Sequence, residues 1–79
     1  MANTYYYKVA GSETSVFKEV EVYEQNKDKG FSFLYSTRVD TRSLKGFEYA
    51  AHKLISENEG YRIKDWRITN KKVKVIRLP

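Results

Sequence analysis

The chain contains no cysteine, which excludes disulfide staples and thiolate metal sites and makes a reducing compartment, the cytoplasm, the expected location. Histidine is almost as scarce. His52 is the only one, so neither a Cys-His nucleophile pair nor a zinc site of the usual ligand types can be assembled within one chain. No serine sits in a GxSxG-like nucleophile context, the strand-to-helix elbow that hydrolases use. The four glycines, Gly11, Gly30, Gly46 and Gly60, are isolated from one another, so no phosphate-cradling loop of Walker or Rossmann type is present. No apolar stretch approaches the roughly 20 residues of a membrane helix, and the opening MANTYYYKVAGSE lacks the apolar segment of a secretory signal. These absences point to a non-enzymatic protein with no cofactor, no metal and no membrane span.

What is present suits one small domain over residues 1–79, with 41% hydrophobic and 15% aromatic residues and no linker or internal repeat. A chain of this size buries only about 60% of its unfolded surface, so its core must be small. Thr4 to Ala10 is aromatic and β-favouring, which predicts a first strand. Next, Val16, Val20 and Val22 alternate with Phe17, Glu19, Glu21 and Tyr23, the period of a strand with one solvated side. Asn26-Lys27-Asp28-Lys29-Gly30 has turn composition. Beyond it, Phe31, Phe33, Tyr35, Thr37 and Val39 alternate against Ser32, Leu34, Ser36 and Arg38, predicting a third strand with the first set on one face.

From Ser43 the period lengthens, and Leu44, Phe47, Ala51, Leu54 and Ile55 form one apolar helical stripe. Asp40, Thr41 and Ser43 offer N-cap oxygens, and Gly60 can take the left-handed C′ position with Tyr61 after it. Burying Leu44, Phe47, Leu54 and Ile55 is worth roughly 6 to 12 kcal/mol before entropy, enough to dock the helix on a sheet. The tail, Arg62 to Thr69 and then Lys72 to Leu78, reads as a last strand or hairpin with a bulge. The expected fold is α+β: one antiparallel sheet of four to five strands, a single helix on one face, in the order β-β-β-α-β(β).

Net charge is +5, and the excess lies at one end, where Arg62, Lys64, Arg67, Lys71, Lys72, Lys74 and Arg77 face Asp65 alone. Cations interleaved with an aromatic, here Trp66, are what a phosphate-tracking surface needs, because the cations release condensed counterions and a ring stacks on an unpaired base. The leading expectation is therefore a nucleic-acid-binding hairpin over Arg62, Lys64, Trp66, Arg67, Lys71, Lys72, Lys74 and Arg77, without sequence-specific readout. The bland reading puts Trp66 in the core and makes the cations edge-strand gatekeepers.

The basic tail could also be drawn to an acidic protein surface; the alternative expectation is a small effector or inhibitor that masks a partner protein with its tyrosine-rich sheet, through Tyr5, Tyr6, Tyr7 and Tyr23, or with an open edge strand, since tyrosine combines an apolar ring with a wet hydroxyl. Alternation turns only one or two rings of the Tyr5-Tyr6-Tyr7 triplet outward. Glu19 and Glu21 share a strand face and read as a solvated acidic patch rather than a metal pair. His52 reads as a helix-surface residue. A monomer or small homo-oligomer is expected.

Overall fold

The structure is a computed structural model and describes residues 3–11, 16–42, 46–65 and 73–79. Four strands and a helix follow one another as β1 (Asn3–Ala10), β2 (Phe17–Gln25), β3 (Phe31–Asp40), α1 (Phe47–Glu59) and β4 (Val73–Arg77). They build one sheet in the order β3-β2-β1-β4 with the helix across one face, an α+β architecture. Among the described residues no helix is long and apolar enough to cross a membrane.

Short connections make β1, β2 and β3 antiparallel neighbours. The turn between β2 and β3 is closed by Asn26 N–H donating to the Gly30 carbonyl at 2.7 Å. Asp28 Oδ1 accepts from Gly30 N–H at 3.1 Å, and Lys29 holds a left-handed φ of 68°.

The sheet is mixed rather than purely antiparallel, because β4 runs parallel to β1, from Asn3 opposite Val73 to Tyr7 opposite Arg77. The physical reason is the helix. A short hairpin reverses the chain once, whereas α1 takes it back across the sheet and lets β4 enter on the far edge in the direction of β1. Residues 61–65 form no strand, and the remainder of the expected first arm of a terminal hairpin, with the tip, falls in 66–72, outside the described residues.

The helix begins later than its apolar stripe suggests. Gly46 occupies the N-cap with φ 132° and no side-chain cap, while Ser43 and Leu44 lie outside the described residues. The other two expected caps are used elsewhere: Asp40 accepts from the Arg42 backbone and guanidinium, and Thr41 Oγ1 donates to the Val16 carbonyl at 2.8 Å. The C-terminal end is as expected. Gly60 is left-handed at φ 76°, donates to the Ser56 carbonyl at 2.9 Å, and is followed by Tyr61, which packs against the core.

The core between sheet and helix is Tyr5 and Tyr7 from β1, Val20 and Val22 from β2, Val39 from β3, Val73 from β4, and Ala50, Ala51, Leu54 and Ile55 from the helix. Val20, Val22, Ala51 and Ile55 have no exposed surface. His52 is buried as well, contrary to a place on the helix surface. Just past Gly60 the Tyr61 side chain reaches back to it, its hydroxyl donating to the His52 carbonyl at 3.0 Å.

One irregularity decides what the outer face carries. Val22 pairs with Tyr35, yet the next residue, Tyr23, pairs with Phe33, so β3 holds one extra residue, Leu34, in a β-bulge. The bulge shifts the phase of β3. Tyr35 and Val39 keep to the helix side, whereas Phe31 and Phe33 turn to the opposite face, correcting the reading that grouped all of them. Leu34 packs against the core.

Candidate interaction surface

Cross-strand partners share a face, so the register lines up one row across the whole sheet. Phe33 lies opposite Tyr23, Tyr23 opposite Tyr6, and Tyr6 opposite Ile76. Since Tyr5, Tyr7 and Val22 are buried beneath the helix, this row points away from it. Phe33 is 54% exposed, Phe31 42% and Ile76 38%. The rings brace one another: Tyr23 and Phe33 meet edge to face at a centroid distance of 5.8 Å, and Tyr6 and Phe31 do so at 5.1 Å. Each such contact is worth about 0.5 to 1.5 kcal/mol, so the aromatics form a braced surface rather than independent side chains.

Polar groups border the row. The Tyr6 hydroxyl donates to Gln25 Oε1 and the Tyr23 hydroxyl to Glu21 Oε1, both at 3.3 Å. Burial, and then the neighbouring Glu21 carboxylate, push the Tyr23 phenol above its ordinary range. Along the strands from the row, Lys8 lies opposite Glu21 and Arg38 opposite Glu19. Ser36 Oγ donates to Glu19 at 3.0 Å, and the Arg38 guanidinium lies 5.9 Å from the Phe17 ring centroid. Charge on this face is therefore mixed: Lys8, Arg38 and Lys74 against Glu19, Glu21 and Asp40.

The residues singled out in the sequence are distributed as follows. Tyr6 and Tyr23 are in the row, while Tyr5 and Tyr7 belong to the core, their phenols raised chiefly by burial. Glu19 and Glu21 share the open face as expected, and no cluster of three or more potential metal ligands occurs among the described residues. Arg62 and Lys64 are exposed in the irregular segment after the helix. Lys74, opposite Thr4, is on the open face; Arg77, opposite Tyr7, is on the helix side. Trp66, Arg67, Lys71 and Lys72 lie outside the described residues.

Sequence reasoning missed Phe31, Phe33 and Ile76. The signal that could have found the phenylalanines is Leu34, a large apolar residue standing in the polar phase between Phe33 and Tyr35. No family model, curated protein or solved structure matches this chain.

Proposed function

We propose that this protein is a small, non-enzymatic protein-binding module whose contact surface is the open face of its sheet. The observation that carries the reading is the exposed row Phe33–Tyr23–Tyr6–Ile76 with Phe31 beside it. A continuous row of large apolar side chains left in water has an uncovered hydrophobic free energy of about 25 cal/mol per Å², and such patches on small proteins mark interaction sites. Aromatics at the centre with charges at the margin match the anatomy of a protein interface. The partner that fits is apolar at its centre and carries a carboxylate to meet Lys8 at the margin. Glu19 and Glu21 bear on the same point, because they would repel a phosphate backbone laid along the face.

One observation supports a second reading, nucleic-acid contact by the basic tail: Arg62, Lys64, Lys74 and Arg77 are all exposed. With four phosphates contacted, raising salt from about 50 to 200 mM should weaken binding by roughly 10²-fold.

Affinity capture from lysate with and without nuclease separates the two, using the wild-type protein, Phe33→Ser and Lys74→Glu. The protein-binding reading expects a stoichiometric protein that survives nuclease and is lost with Phe33→Ser. Capture abolished by nuclease and by Lys74→Glu, but indifferent to Phe33→Ser, would transfer the function to the basic tail.

A further inference from the structure

The open face is built so that its own two halves complement each other. Across the central row, Tyr6 of β1 stands beside Tyr23 of β2, with Ile76 and Phe33 outside them on the two edges. In the adjoining row Lys8 of β1 stands beside Glu21 of β2. A two-fold axis running close to the strand direction, between β1 and β2, exchanges the halves without moving anything along the strands. In a second copy laid face to face by that operation, β1 sits over β2 and β4 over β3. Tyr6 then meets the partner subunit's Tyr23, Ile76 meets the partner subunit's Phe33, and Lys8 meets the partner subunit's Glu21. Every contact recurs with the copies exchanged, the condition for an isologous interface.

We infer that the occupant of the open face is a second copy of this chain, packed sheet on sheet in this two-fold arrangement. The inference rests on the reading of the face as a protein-binding surface and names its partner. Charge complementarity favours it, since two cation–carboxylate pairs form at the margin of the apolar row and no like charges are brought together there. The area is adequate. Strands about 4.8 Å apart and about eight residues long, at about 3.3 Å per residue, cover roughly 500 Å² per copy, hence about 1,000 Å² for two, the lower bound of a specific interface. Aligned packing of two twisted sheets, about 30° apart, keeps the central rows in contact and lets the corners diverge. The dimer is accordingly weak and reversible.

Sedimentation equilibrium of wild type, Lys8→Glu, Glu21→Lys and Phe33→Ser tests it up to about 0.5 mM, where even a dissociation constant of ~100 μM registers. Lys8 is exposed and Glu21 half-buried, and far-UV circular dichroism confirms that each variant is folded. The wild type should show a reversible rise from 9.3 kDa towards twice that mass. Either charge reversal alone brings like charges together and should weaken association by about tenfold or more, and Phe33→Ser should do the same. An equimolar mixture of Lys8→Glu and Glu21→Lys should recover the dimer, because each chain then supplies the sign the other needs. A wild type that stays monomeric, dimers indifferent to all three substitutions, or charge variants that do not rescue each other would each overturn the inference. If the wild type stays monomeric while Phe33→Ser still loses a protein captured from lysate, the self-pairing falls and the protein-binding reading stands; if that capture is also unaffected, both fall.

Discussion

The two faces of the sheet should differ sharply in what a truncation costs, and the contrast between Ile55 and Phe33 measures it. Ile55 is wholly buried between helix and sheet, so Ile55→Ala removes its transfer free energy and leaves a cavity, about 2 to 5 kcal/mol. A 79-residue chain has on the order of 4 to 12 kcal/mol in total, so this one change should consume about a sixth of the stability at the least. Phe33 has a larger side chain but is 54% exposed. Phe33→Ser loses chiefly its edge-to-face contact with Tyr23, about 1 kcal/mol. With a urea dependence of roughly 1 kcal/mol per M, the midpoints should fall by about 2 M or more for Ile55→Ala and by about 1 M for Phe33→Ser. Far-UV circular dichroism in dilute protein, where association contributes nothing, is the assay. A Phe33→Ser variant as destabilised as Ile55→Ala would place Phe33 in the core and refute the bulge at Leu34 together with the surface built on it.

Burial holds the His52 imidazole below its ordinary range, with Glu48 opposing the shift; the unfolded chain then takes up a proton that the folded one refuses, so stability should fall as pH drops below about 6.5, and His52→Gln should flatten urea midpoints measured from pH 7.5 to 5. Tyr5, Tyr7 and Tyr35 are raised by burial, Tyr35 also by its hydrogen bond to Glu59. Above about pH 10 the unfolded chain loses those protons first, so stability should decline there, and ultraviolet titration should show part of the phenols ionising later in the folded than in the urea-unfolded protein. Lys29 sits at φ 68°, where a side chain costs about 1 to 2 kcal/mol and glycine's extra chain entropy offsets part of that; Lys29→Gly should therefore raise the melting stability by about 0.5 kcal/mol.

The features legible in the sequence were those governed by local periodicity. The alternation that put Val20 and Val22 on one face and Glu19, Glu21 and Tyr23 on the other held along β2, as did the helical stripe through Phe47, Ala51, Leu54 and Ile55 with its Gly60 terminus. The tyrosine triplet split by the same rule, sending Tyr6 outward and Tyr5 and Tyr7 inward. Features set by tertiary choice were not legible. Nothing local tells β4 which edge to join; the return of the chain through the helix sets its direction, and the edge decides only that its neighbour is β1 rather than β3. A single extra residue at Leu34 inverts the phase of all that precedes it in β3, so a strict period of two buries the two phenylalanines that in fact face water. His52 is buried although the apolar stripe passes it by; Tyr61, beyond Gly60, reaches back to its carbonyl, a contact between segments that helical periodicity does not encode.

The claim that the open face is the binding surface is tested most directly by hydroxyl-radical footprinting read by mass spectrometry, on dilute and concentrated protein and with any captured partner added. The account predicts that Tyr6, Tyr23, Phe31 and Phe33 oxidise readily in dilute protein while Tyr5 and Tyr7 do not, and that these four become protected as the complex forms. Protection confined to the segment around Arg62 and Lys64, with the aromatic row equally reactive throughout, would contradict it.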